Sequence, residues 1–206
     1  MKQTVIILGL LITGLVFPIQ ARTFKGISVG ANAGYTNSGK FGAEGFAQAD
    51  LQLGSIPFEP KLGFTYQTFT TDYKDLNDLG IESVGFFLEG DIYPFKKLFY
   101  TGVRLGMDVN WFNDKAFNTL EHSDESVLRA FPGFRLYAVA GLDIPLNQRI
   151  SLRISGMPGW QFYEISDNWR ISSGGSGVNM YSNNGTVYNR FVFQVNAGLS
   201  IRLWSK

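Results

Sequence analysis

The sequence predicts an all-β protein, an eight-stranded antiparallel up-and-down transmembrane β-barrel, and three observations carry that prediction. Eight segments alternate apolar and polar residues with period two, the signature of strands with one apolar face. The apolar face of all eight carries no charge, while the opposite face collects six acids and six bases. The connections are short and Pro-containing on one rim and, with one exception, long on the other, as in barrels that cross a membrane.

The elements follow in order. The chain opens with MKQTVIILGLLITGLVFPIQA, in which Lys2 precedes an apolar run from Val5 to Phe17, then Pro18 and the small residue Ala21. The run is shorter than the roughly 20 apolar residues a spanning helix needs. Residues 1–21 are therefore expected to be a cleaved export signal, and residues 22–206 the barrel domain.

The first strand places Ile27, Val29, Ala31, Ala33 and Tyr35 on one face, and the second Phe41, Ala43, Ala47, Ala49, Leu51 and Leu53. The third carries Leu62, Phe64 and Tyr66, and the fourth Val84, Phe86, Leu88 and Ile92. Phe99, Val103, Leu105, Met107, Val109 and Trp111 form the fifth set; Phe134, Leu136, Ala138, Ala140, Leu142 and Ile144 the sixth. Ile150, Leu152, Ile154, Trp160 and Phe162 form the seventh, and the eighth runs from Phe191 to Trp204 with an apolar residue at every second position to Leu203.

Strands two and three, four and five, and six and seven are joined by SIPFE, PFKK and PLNQR. On the other rim NSG is tight, but TDYKDLNDLG, NDKAFNTLEHSDESVLRA and the segment from about Glu164 to Val187 read as long loops. Asn184-Gly185 in the last is a hairpin turn signal, so strands are expected to continue above the barrel there.

Two barrels satisfy such alternation, one with charges in water and one with charges in its lumen. An eight-stranded barrel is only just wide enough to be filled by side chains, and the Phe, Leu, Trp and Tyr of all eight strands would overfill it. The segments also exceed the roughly 9–11 residues a tilted strand needs to cross the hydrocarbon layer. Aromatics gather toward segment ends, where two girdles are expected from Tyr35, Phe41, Tyr93, Phe95, Phe99, Trp111, Phe131, Trp160, Phe162 and Trp204. The apolar face is therefore expected to meet lipid.

Composition narrows the chemistry. Of 206 residues, 45% are hydrophobic and 15% aromatic, and Lys+Arg 18 against Asp+Glu 17 offers no charge imbalance that would point to nucleic acid. The absence of cysteine excludes a disulfide scaffold, a thiolate metal site and a cysteine nucleophile. No cofactor is expected.

With its export signal, eight alternating segments and final strand FQVNAGLSIRLW, the chain resembles the small eight-stranded outer-membrane barrels of the OmpA and OmpX type. The resemblance covers nearly all of residues 22–206. It implies residence in the outer membrane of a Gram-negative, didermic bacterium, among bilayer lipid and lipopolysaccharide. It also implies assembly by the barrel-insertion machinery, with Trp204 in place of the terminal aromatic that many relatives carry. It implies no single activity, because this fold hosts anchors, adhesins, narrow pores and lipid enzymes.

The charged face consists of Glu44, Asp50, Lys61, Glu89, Asp91, Arg104, Asp108, Arg135, Asp143, Arg153, Arg190 and Arg202. Opposite charges across a narrow lumen offset much of each other's desolvation cost. A ladder of ion pairs plugging the barrel is therefore expected: Asp50 facing Lys61, Glu89 and Asp91 facing Arg104, Asp143 facing Arg153, and Asp108 with Arg135 above them.

Catalytic and metal candidates are thin. His122 in LEHSDES has Glu121, Ser123 and Asp124 beside it, but neighbours in sequence rarely make a triad, and a solvated acidic loop is the expectation. Asp72, Asp75 and Asp78 miss the i, i+2, i+4 spacing of a calcium loop, so turn residues are expected there. Tyr73, Phe117 and Tyr181 in the long loops are candidate contacts for an extracellular ligand. The expected role is a non-enzymatic scaffold displaying long loops, serving envelope integrity or surface interaction. A narrow channel for ions or small solutes is the alternative, and a lipid-modifying enzyme the third.

Overall fold

The computed structural model describes residues 22–37, 41–73, 76–95, 98–122, 129–165, 169–174, 177–182 and 186–205. The expected signal at residues 1–21 lies outside them, as do Asp75, Ser123, Asp124 and Asn184-Gly185. The barrel is built from β1 (Arg22–Thr36), β2 (Phe41–Leu53), β3 (Ile56–Tyr73), β4 (Leu76–Phe95), β5 (Phe99–Phe112), β6 (Ala130–Pro145), β7 (Ile150–Ile165) and β10 (Thr186–Ser205). Consecutive barrel strands pair antiparallel, and β10 closes the ring on β1 in the order β1-β10-β7-β6-β5-β4-β3-β2. Closure removes the sheet edge, which hydrocarbon would leave without hydrogen-bond partners.

Four connections differ from the sequence reading or add to it. The β2–β3 turn is not SIPFE but the two residues Gly54-Ser55, with Leu53 facing Ile56 across it. Gly54 supplies the positive φ of 61° that a two-residue hairpin demands, and Ile56 to Glu59 become strand. TDYKDLNDLG is largely not a loop: β3 runs to Tyr73 and β4 begins at Leu76, so the hairpin itself rises above the barrel. Between β5 and β6 stands a helix, α1 (Asp114–His122), started by the Asn113 side chain accepting the Ala116 backbone N–H at 2.9 Å. Between β7 and β10, β8 (Trp169–Gly174) and β9 (Gly177–Ser182) form a separate hairpin. Its last pair is Gly174 opposite Gly177.

The two faces of the ring are those of a protein turned inside out. Phe64, Leu88, Val103, Met107 and Val195 are exposed, Phe64 to 71%, while Glu44, Lys61, Glu89, Asp91, Arg104 and Arg153 are buried, Lys61 to 5%. Water on the outside would bathe a continuous apolar band, and apolar patches of that extent are not tolerated on soluble monomers. The medium this surface is built for is hydrocarbon. The shortest barrel strand, β2, still has 13 residues and β5 has 14; at about 3.3 Å per residue and a tilt near 40°, the latter rises roughly 35 Å, more than the apolar band requires.

Not every expected girdle residue points outward. Tyr35, Phe41, Phe99, Trp160 and Trp204 are exposed, but Tyr93 and Phe131 are buried in the lumen. They share strand parity with Asp91 and Arg135, so the pleat turns them inward. The side chains of Phe95 and Tyr181 lie outside the described residues.

The lumen also holds aromatics, and glycine makes room for them. Phe46 lies opposite Gly30, Phe87 opposite Gly63, Tyr100 opposite Gly141 and Tyr137 opposite Gly159. A β-carbon on Gly63 would lie 2.5 Å from the Phe87 Cζ, so the ring packs directly over bare backbone.

Candidate functional site

The lumen is the site where the chain concentrates its charge. In its middle Lys61, from β3, contacts Glu89 and Asp91 of the neighbouring β4. Glu89 accepts from Arg104 Nε at 2.6 Å, and Arg104 Nη1 reaches across to Glu44 at 2.6 Å. Glu44 in turn accepts from the Asn196 amide, which also takes a 2.8 Å bond from Gln194.

Toward the short-turn end, Asp91 accepts from Arg153 Nη2 at 3.0 Å, and Arg153 Nη1 lies 3.1 Å from Glu59 and 2.8 Å from the Gln48 side-chain Oε1. Tyr93 donates to Glu59 at 2.6 Å and stands 3.0 Å from Asp143. One continuous chain of hydrogen bonds thus runs from Asn196 through Glu44, Arg104, Glu89, Lys61, Asp91, Arg153, Glu59 and Tyr93 to Asp143. The cations are stacked as well as paired: Arg104 lies 3.9 Å from the Phe87 ring centroid, Arg153 4.3 Å from that of Tyr100, and Lys61 5.0 Å from the latter.

Each residue of the expected ladder has a definite place. Arg104 meets Glu89 and Arg135 meets Asp108 at 2.5 Å. Arg153 lies 3.5 Å from Asp143, farther than from Asp91 or Glu59. Asp91 serves Lys61 and Arg153, not Arg104. Lys61 does not face Asp50: the two-residue turn puts Gln48 opposite Lys61, and Asp50 is approached instead by Arg202 at 3.6 Å. Arg190 lies at the upper end, donating to the Thr70 carbonyl at 2.9 Å with its guanidinium 4.6 Å from the Phe69 ring centroid.

Four members of the network escape a sequence reading built on charge and loops. Glu59 hides in the segment taken as a turn, Tyr93 among the girdle aromatics, and Gln48 and Asn196 carry no charge. Strand parity is the signal that finds the last three, since each is an even number of residues from an inward charge: Asp50, Asp91 and Arg202.

The long-loop end closes differently. Phe69, Tyr73, Ile81, Phe112, Phe131 and Tyr163 pack into an apolar cluster, and Ala116 and Leu120 of α1 sit against it fully buried. Phe112 and Phe131 have ring centroids 5.3 Å apart, and Tyr163 stacks on Tyr188 at 5.3 Å. Tyr73 is therefore a core residue and Phe117 packs against the same cluster, so neither is the free loop aromatic expected. The short-turn end instead keeps a polar cavity of about 290 Å³, whose lining includes Glu59, Tyr93, Asp143, Arg149 and Arg202.

His122 ends α1 with Nδ1 2.6 Å from the Asn118 carbonyl oxygen, outside the lumen network. Asp72 accepts the Asp78 backbone N–H at 2.9 Å, which holds Asp78 at a φ of 56°. Among the described residues no group of three or more His, Asp or Glu is arranged to hold a metal ion.

No family model and no curated protein matches this chain. Solved structures do. The chain is similar to Neisserial surface protein A at 15% identity, over 89% of this chain and 100% of that one, with a TM-score of 0.40. It is similar to the outer membrane protein OprG from Pseudomonas aeruginosa at 13% identity, over 88% and 98%, with a TM-score of 0.43. A de novo designed transmembrane β-barrel is 12% identical over 88% of this chain and 98% of its own, with a TM-score of 0.39.

Proposed function

We propose that the chain is an integral outer-membrane barrel of a didermic bacterium, exported by a signal over residues 1–21. In this reading it acts as a non-enzymatic scaffold with a sealed lumen, serving envelope integrity or surface interaction. Short turns face the periplasm. The β3–β4 hairpin, α1 and the β8–β9 hairpin stand on the outer side, where lipopolysaccharide surrounds the barrel and an extracellular ligand would meet them. The barrel-insertion machinery places it in the membrane, with Trp204, stacked on Phe24 at 5.3 Å, near the end of the closing strand.

The observation that carries the sealed-lumen reading is the succession of two fillings along one bore: the buried hydrogen-bonded chain from Asn196 to Asp143, and the apolar cluster capped by Leu120. Ions do not cross a wall of paired charges backed by packed aromatics without displacing both. The competing reading is a narrow channel, favoured by the cavity that opens the bore from the short-turn end. Planar-bilayer recording on the purified protein decides between them. The scaffold reading expects silence; a large, steady current overturns it in favour of the channel.

A further inference from the structure

The cavity at the short-turn rim separates its charges by position. In the ring order β3, β4 and β6 lie on one arc and supply Glu59, Tyr93 and Asp143; β10 lies on the facing arc and supplies Ser200 and Arg202. Arg149, in the β6–β7 turn, is tied to that second arc because its carbonyl accepts the Arg202 backbone N–H at 2.7 Å. One wall is thus anionic with a phenol, the other cationic with a hydroxyl.

Both walls keep bonding capacity. Asp143 Oδ1 and Arg202 Nε are buried and have no protein partner, and the contact between Arg202 and Asp50 is long at 3.6 Å. Buried polar atoms without partners are uncommon, and both of these belong to residues that line the cavity. A lone anion entering here meets Glu59 and Asp143, and a lone cation meets Arg149 and Arg202. A solute that carries both charges meets neither repulsion.

We propose that this vestibule binds a small zwitterion of amino-acid or dipeptide size, with its ammonium toward Asp143 and Glu59 and its carboxylate toward Arg202 and Arg149. The volume, near the lower end of the roughly 300–1,000 Å³ range of small-molecule pockets, admits a solute of that size. The site opens on the periplasmic side in the orientation proposed above, and its occupancy does not depend on whether the barrel conducts.

The test is a titration of the purified protein in micelles, followed by NMR at the Arg202 Nε–H. Alanylalanine is expected to give a saturable shift; acetate and methylammonium, each carrying one of the two charges, are expected to bind at least tenfold more weakly. Asp143→Asn is expected to weaken alanylalanine binding at least tenfold. Arg202→Gln, read at the Ser200 amide, is expected to do the same, while Arg129→Gln at the opposite end leaves it unchanged. The proposal is overturned if alanylalanine produces no saturable shift, if either single-charge probe binds as tightly, or if both vestibule variants retain wild-type affinity.

Discussion

Lys61 is buried within the barrel, and its ammonium is held by two carboxylates and the face of Tyr100. Removing the charge while leaving Glu89 and Asp91 in place strands two acids against one remaining cation each, Arg104 and Arg153. Breaking a buried pair in this way costs about 3–5 kcal/mol, whereas removing both partners costs far less. Lys61→Met is therefore expected to destabilise the folded barrel by about 3–5 kcal/mol, measured as a shift of the urea midpoint in lipid vesicles. Lys61→Met combined with Asp91→Asn is expected to recover much of that loss. Equal destabilisation by the single and double variants would mean that the network is a set of independent contacts. Gly63 makes the complementary point about volume, since Phe87 occupies the space a side chain there would need. A large residue at 63 forces the ring and the Arg104 guanidinium stacked on it to move together.

In the sealed-lumen reading, helix α1 and the strand ends beneath it form one seal, and the ion-pair chain forms another lower in the same bore. Leu120 is fully buried, so its burial contributes about 2 kcal/mol, and an aspartate in its place has no partner among the surrounding aromatics. Two seals in series give a combinatorial expectation. Leu120→Asp alone and the pair Arg104→Ala with Arg153→Ala alone are each expected to stay silent in planar bilayers, and the triple variant to conduct. Conduction by either partial variant would show that one filling does the sealing. The helix was not legible beforehand, because DKAFNTLEH is short and polar and its two buried residues gain meaning only from the cluster they meet. The strands were legible, since alternation is a direct image of the pleat. Pairing was legible only where turn length was judged correctly. Setting Lys61 against Asp50 is two residues out of register, because the Gly54-Ser55 turn sets Lys61 against Gln48, and its ammonium reaches Glu89 and Asp91 of β4. The charges of the lumen could be named from parity, but their partners depend on a register that alternation does not encode.

The molecule as a whole rests on which medium bathes each face. Val195 and Asn196 are adjacent in β10, yet Val195 is 45% exposed and Asn196 only 1% exposed, bonded to Glu44 within the bore. In water the energetic sense of the fold would be reversed, with charges dehydrated and apolar groups wet; in a bilayer the same arrangement lowers both costs. The chain contains no cysteine, so a single one can be introduced without a competing thiol. With Val195→Cys, Val103→Cys and, separately, Asn196→Cys carried in vesicles of acyl-chain-brominated lipid, a small apolar fluorophore on the thiol is expected to be strongly quenched at 195 and 103. At 196, where the neighbouring atoms are protein, attachment is expected to be slow and quenching weak. The alternative arrangement, a water-soluble barrel with an apolar interior, predicts the opposite order, with rapid labelling at 196 and protection at 195. Because the two positions differ by one residue on one strand, shared depth in the membrane cancels and only the direction of the side chain is read.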